Sequence, residues 1–169
     1  YEKLIAQGFD NFESNFILGL CYEDLPDNGK ALKHYQKAVQ FKNDNATCLF
    51  HLALIEKSFC MDSLSMAHFN QSLEVSLPKD RALRTYKWLA DLHFQHSRYA
   101  DAARDFELII LYDEEDPLNY YNAAQMFIAS KNKLKAKLYL QLFLANTNRL
   151  EDKKEAAQLI SKAKEQLKQ

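Results

Sequence analysis

Apolar residues along this chain recur at helical spacing and fall into segments that short polar stretches interrupt. The interruptions read LPDNG at 25–29, FCMDS at 59–63, QHSR at 95–98 and SKNK at 130–133. Connections of this length are typical of antiparallel helix pairs. No segment alternates apolar and polar residues in the manner of a half-buried strand. The pattern therefore predicts an all-α chain made of helical hairpins.

Small and aromatic residues recur in register every 34 residues, with three extra residues near LPKDRA at 77–82. The small residues of the first helices are Gly19, Ala53, Ala90 and Ala124. The large residues of the second helices are Tyr35, Phe69, Phe106 and Leu140. Small residues allow two helices to cross closely, and large ones fill the space beside them. The period predicts four stacked hairpins.

This pattern resembles the tetratricopeptide repeat (TPR), which reads Trp-x2-Leu-Gly-x2-Tyr, then Ala-x3-Phe-x2-Ala, then Pro. The resemblance implies a right-handed α-solenoid with four TPR repeats within 12–150, at 12–45, 46–79, 83–116 and 117–150. The chain departs from the family pattern at the tyrosine of the first helix. That position holds Tyr22, Glu56, His93 and Phe127, and the closing Pro is absent from its usual place.

The residues on both sides of the four repeats are also predicted to be helical parts of the array. Residues 1–11 fall in frame as the end of a preceding repeat helix, which predicts that the chain is a segment of a longer array. Residues 151–169 are predicted to form a C-terminal capping helix, with Asn148 and Glu151 at capping-box spacing. Its apolar stripe consists of Ala156, Ile160, Ala163 and Leu167. Such a helix would cover the last open face of a solenoid.

In TPR arrays the first helix of each repeat lines a concave groove, so the resemblance implies a partner-binding groove here. Tyr86 takes the family's tryptophan position, and Trp88 lies about 200° further around the helix, turned towards the groove. The implied groove residues are Phe16, Leu20, Phe50, His51, Leu54, Arg84, Lys87, Trp88, Asp91, Phe94, Tyr121, Asn122 and Gln125. Seven of them are large apolar residues, which predicts a track for a peptide or an amphipathic helix, although packing between repeats is the alternative.

The charge is uneven although the net charge is only −1. Residues 131–169 contain ten Lys/Arg and four Asp/Glu (+6), so residues 1–130 carry 12 minus 19, or −7. This balance disfavours nucleic acid, which calls for a strongly basic face. The lysine run at 131–137 is predicted to form a solvated turn and helix face. Binding to an acidic partner or to a membrane surface is the alternative.

Composition points to a cytoplasmic protein. The three cysteines, Cys21, Cys48 and Cys60, lack C-x-x-C spacing and are expected to be reduced. No apolar run approaches the roughly 18 residues of a membrane span, and no signal peptide is visible. Three Gly and three Pro in the whole chain also favour helices over turns and strands.

Few residues suggest chemistry. His93 and His96 have a spacing that metal ligands can use, but no third ligand has a compelling position, so we expect no metal site. The acidic run DEED at 113–116 is predicted to form a turn at the start of a helix. No phosphate loop, HExxH motif or nucleophile triad occurs. We therefore expect no catalytic residues, no cofactor and no small-molecule substrate.

The sequence favours a non-catalytic protein-interaction adaptor within a larger scaffold or complex. A class II chaperone of type III secretion, which is a small TPR protein, is the alternative. An RNA-binding helical array and a recruitment domain of a larger enzyme are less favoured. Capture of Hsp70 or Hsp90 tails is disfavoured, since the expected carboxylate-clamp positions hold Phe16, Leu20, His51, Arg84 and Trp88 instead of a Lys/Asn/Arg set.

Overall fold

A computed structural model of the protein describes residues 1–150 and 152–168. The predicted all-helical architecture is confirmed, and no strand occurs in the described residues. The helices are α1 (Glu2–Ala6), α2 (Phe12–Asp24), α3 (Asn28–Phe41), α4 (Ala46–Ser58), α5 (Asp62–Val75), α6 (Lys79–Gln95), α7 (Tyr99–Tyr112), α8 (Pro117–Ala129), α9 (Lys133–Ala145) and α10 (Lys153–Gln166), with a short 3-10 turn at Thr147–Arg149.

The chain divides into two compact units. Unit 1 spans Tyr1–Pro78 and holds the hairpins α2–α3 and α4–α5. Unit 2 spans Lys79–Gln169 and holds the hairpins α6–α7 and α8–α9 together with α10. Helix α6 begins at Lys79, four residues before the predicted start of the third repeat, so the extra residues form an additional helical turn.

Short polar side chains fix where several helices begin. Asn11 and Ser14 form a reciprocal capping box at the start of α2, and Asp27, Asn45 and Asn132 each accept a backbone N–H at the starts of α3, α4 and α9. These caps satisfy amides that have no partner inside the helix. The predicted capping box of Asn148 with Glu151 lies outside the described residues.

In the first hairpin the two helices approach so closely that Gly19 touches the ring of Tyr35. A Cβ atom placed on Gly19 would lie 2.4 Å from Cε1 and 2.5 Å from Cδ1 of that ring. Tyr35 is fully buried, and its hydroxyl donates a hydrogen bond to Oε2 of Glu23 at 2.6 Å. Because the Tyr35 ring is buried and its hydroxyl is bonded to Glu23, the ring has little room to move away from a side chain at position 19.

We expect Gly19→Ala to lower the free energy of unfolding by about 2 kcal/mol in urea denaturation followed by circular dichroism. Overpacking at a contact this close costs about 3 kcal/mol. Alanine recovers only about 1 kcal/mol through its helix propensity. The matched control is Gly29→Ala in α3, where the nearest atom to an added Cβ is Oδ1 of Asp27 at 3.8 Å. That control should be neutral or slightly stabilising, and an equal effect of the two substitutions would contradict the close approach.

Where the first helix lacks the family's tyrosine and has Glu56 or His93, the second helix of the same hairpin has a residue that pairs with it. In the α4–α5 hairpin, the buried Glu56 carboxylate lies 2.7 Å from Nδ1 of His68. In the α6–α7 hairpin the roles are exchanged, and His93 pairs with the buried Asp105 at 2.5 Å. Each pair spans twelve positions in the sequence. In both hairpins, therefore, an acid on one helix faces an imidazole on the other.

The other two hairpins keep aromatic contacts at the equivalent positions. Tyr22 of α2 stacks on His34 of α3 with ring centroids 5.6 Å apart. Phe127 of α8 stacks on Tyr139 of α9 at 5.4 Å. The first-helix residue alone looks degenerate, but the pair is complementary in all four hairpins.

Candidate functional site

A cavity of about 310 Å³ opens in unit 2 between α6 and α8, with α7 behind it. Four of the predicted groove residues line it, namely Lys87, Asp91, Phe94 and Asn122. Ala90, Phe106 and Met126 complete the lining. The cavity therefore brings together side chains from two first helices, as a partner-binding groove of this architecture requires.

Helical phase places these residues on one face. Lys87, Ala90, Asp91 and Phe94 follow the i, i+3, i+4, i+7 spacing of a single helix face on α6. The neighbouring Leu89 is buried, which fixes the rotation of the helix. On α8, Asn122 and Met126 are one turn apart. Ala90 is itself buried, so a small residue gives the cavity its depth.

The cavity combines an apolar floor with a polar rim. Phe94 is half-exposed, and its ring centroid lies 6.0 Å from that of Tyr99. Lys87 Nζ lies 3.7 Å from Oδ2 of Asp113, and Oδ2 of Asp91 accepts a hydrogen bond from the Gln95 amide at 3.0 Å. The rim therefore presents a cation and an anion in addition to the Asn122 amide.

Unit 1 brings two predicted residues together around a buried tyrosine. The ring of Phe16 lies 6.4 Å from that of His51 and 6.1 Å from that of Tyr35. His51 Nδ1 lies 2.9 Å from Oε2 of Glu23, which also accepts the Tyr35 hydroxyl. The hydrogen bond with His51 lowers the pKa of Glu23, and that of Tyr35 adds to the effect. This carboxylate is consequently engaged within the unit.

No protein-family model matches the chain, and no curated protein sequence resembles it. Solved structures do. MamA is 15% identical with a TM-score of 0.69, over 88% of this chain and 85% of that one. YrrB, described as a TPR protein with an unusual peptide-binding site, is 12% identical with a TM-score of 0.69, over 98% and 91%. The Arabidopsis OM64 TPR domain is 16% identical with a TM-score of 0.56, over 68% and 93%.

This chain has the tetratricopeptide-repeat fold. At these identities the structural likeness establishes the fold, and the sequence period of 34 residues agrees with it. In the TPR frame, Tyr86 takes the tryptophan position and packs on Tyr112 of α7, with centroids 5.7 Å apart. Trp88 is half-buried on α6 and does not line the cavity, and Arg84 is exposed outside it.

Two residues that were expected to form an exposed TPR track are buried. Phe50 is only 2% exposed, and its ring packs on that of Phe69 in α5 with centroids 6.0 Å apart. Tyr121 is 7% exposed and packs on Phe143 of α9 at 5.1 Å. The expectation of exposure at these two positions is therefore wrong, because the second helices reach them.

Helix α10 accounts for a further difference at the predicted groove. Gln125 and Gln166 exchange amide hydrogen bonds at 3.0 and 3.1 Å. Ala163 of α10 is fully buried in the same cluster as Tyr121. Gln125 thus contributes to the docking of α10. Leu20 and Leu54, in unit 1, are half-buried, and Leu20 packs against the unit 1 core.

The histidines, acidic residues and cysteines that the sequence singled out can now be placed in the structure. Among the described residues, no group of three or more His, Cys, Asp or Glu side chains is placed to hold a metal ion. Asp116, from the DEED run, caps α8 through the Leu118 amide at 2.9 Å. All three cysteines are free thiols, and burial raises the pKa of Cys48 to about 12. Cys21 and Cys60 are exposed.

No described helix is both long enough and apolar enough to cross a bilayer.

Proposed function

We propose that this chain is a non-catalytic adaptor of the cytoplasm that binds a peptide or helix of a protein partner within a larger assembly. The observation that carries the proposal is the unit 2 cavity, where Lys87, Asp91, Phe94 and Asn122 meet. These side chains were implied as groove residues by the TPR frame alone. The likeness to YrrB, itself described as having a peptide-binding site, adds support.

The lining suits a peptide with one large apolar side chain. Phe94, Phe106 and Met126 offer aromatic and thioether surface to such an anchor. The Asn122 amide has both a donor and an acceptor, so it can pair with a backbone peptide group. Lys87 and Asp91 would select residues of opposite charge beside the anchor. A volume of about 310 Å³ fits one side chain with its adjoining backbone.

Random-peptide display on the full chain tests this proposal. We expect it to select peptides with a shared apolar anchor, and we expect Phe94→Ala to weaken their binding at least about tenfold in fluorescence anisotropy. Removal of an aromatic anchor contact in a binding pocket typically costs about 2 kcal/mol. Asn122→Ala should cost about fivefold, since it removes one backbone hydrogen bond.

Phe59→Ala is the matched control, because Phe59 is comparably exposed but lies in unit 1. It should leave binding unchanged. Circular dichroism of each variant establishes that the helices are intact. If no specific peptide is selected, or if the selected peptides bind the Phe94 and Asn122 variants as well as they bind the original chain, the cavity is not the site.

A further inference from the structure

A second cavity, of about 440 Å³, lies at the far end of unit 2, where the C-terminal end of α10 meets α8 and α9. Its floor consists of Ala136 and Leu140, both buried, and Ile128 and Leu167 form apolar walls. It shares no lining residue with the cavity between α6 and α8. The α9 cavity, as we name it, is a separate feature of the surface.

Three exposed lysines, Lys131, Lys133 and Lys137, stand around the α9 cavity. Their ammonium groups make no ion pair with any of the residues that the structure describes. The fourth lysine of the run behaves differently, because Lys135 binds Oε1 of Glu107 at 2.7 Å and lies over the Phe127 ring at 5.0 Å. The run therefore divides into one lysine that is paired with Glu107 and three lysines that surround an apolar recess.

We propose that the α9 cavity binds an acidic peptide segment of a protein partner, with one large apolar side chain inserted between the lysines. Three like charges close together repel one another, so an anionic occupant would relieve that repulsion and gain attraction to each lysine. The apolar floor and walls supply the burial that charge alone does not. This site goes beyond the proposed function, since it accepts a second segment of different charge.

The shape of the surface favours a peptide over a bilayer. The apolar floor is recessed, and the exposed lysines stand around it, so a side chain can reach the floor. A flat membrane would instead need protruding apolar residues on the same face. The leucines that do protrude from α9, Leu134 and Leu138, follow Lys133 and Lys137 by one position. They therefore point about 100° away from the cavity face.

Acidic peptides with a central anchor test the proposal on the full chain. The probes are acetylated peptides that carry three Glu or Asp on each side of a central Leu, Phe, Trp or Ala. We expect the large anchors to bind more tightly than Ala, with binding that weakens as salt rises. Lys133→Glu with Lys137→Glu should weaken the best probe roughly tenfold or more, because each reversal replaces an attraction to the acidic peptide with a repulsion.

Lys33→Glu with Lys79→Glu is the matched control, since both lysines are exposed and lie outside the cavity while the change in net charge is the same. Ile128→Ala removes an apolar wall of the cavity at an exposed position and should reduce the preference for large anchors. Failure of every probe to bind, or equal losses in the two double variants, would overturn the proposal. Binding to anionic vesicles with no peptide binding would assign the lysines to a lipid surface, and a lysine-dependent dimer in ultracentrifugation would assign the cavity to a second copy. Either result also overturns it.

Discussion

Replacing His68 with leucine is expected to lower the free energy of unfolding by about 3 kcal/mol, because a buried carboxylate loses its hydrogen-bond partner. Glu56 is 1% exposed, and its Oε2 lies 2.7 Å from Nδ1 of His68. In the variant, the carboxylate stays in the interior with no side-chain hydrogen-bond donor among the described residues. Urea denaturation followed by circular dichroism near neutral pH measures the loss.

A second substitution separates the buried charge from lost packing. Glu56→Gln in the His68→Leu background removes the charge while it keeps the shape of the side chain, so it should recover a large part of the lost stability. His96→Leu is the surface control, because His96 is exposed, and it should change stability by less than about 0.5 kcal/mol. If His68→Leu costs no more than His96→Leu, the pair does not support the hairpin.

The Asp105 pair is expected to make unit 2 less stable as pH rises from about 4 to about 6. Burial raises the pKa of Asp105 from 3.8 to about 6, and the hydrogen bond with His93 opposes this rise only in part. The folded state therefore holds a proton that the unfolded state has released. The stability that this proton contributes is complete below about pH 4 and is lost as pH rises through 6. A shift of this size corresponds to at most about 3 kcal/mol.

Asp105→Asn removes this titration and retains an oxygen that can accept a hydrogen bond from His93. We expect the variant to gain stability relative to the original chain between about pH 4 and pH 7. The fluorescence of Trp88, the only tryptophan, reports the unfolding of unit 2 at each pH. Parallel curves of stability against pH for the two proteins would show that Asp105 does not titrate as described.

Phe50 and Tyr121 show why exposure could not be predicted from helical position alone. The repeat frame places both on the first helix of a hairpin, at positions that line a groove in the resembled family. In the structure, each ring is covered by a residue far along the chain, Phe69 in one case and Phe143 in the other. Which side chain of the second helix covers a residue of the first depends on how the two helices pack. The spacing of residues within one helix does not contain that information.

The pairing of Glu56 with His68 and of His93 with Asp105 was not predicted, because it too depends on contact between two helices. Glu56 and His93 look like failures of the family pattern when the first helix is considered alone. Their meaning is apparent only beside His68 and Asp105, twelve residues later in each hairpin. A comparison of those two columns across the four repeats would have found the signal in the sequence. It would not have established that the acids are buried.

The residue pattern alone was enough to predict the helices, their 34-residue period and the face of α6 that carries Lys87, Asp91 and Phe94, because a regular period fixes the phase of each helix. Packing between the helices controls which of those faces remain open. It buried Phe50 and Tyr121, engaged Gln125 with α10, and divided the lysine run between an internal pair and an open cavity. Burial depends on contacts between distant segments, and these exist only once the helices have packed.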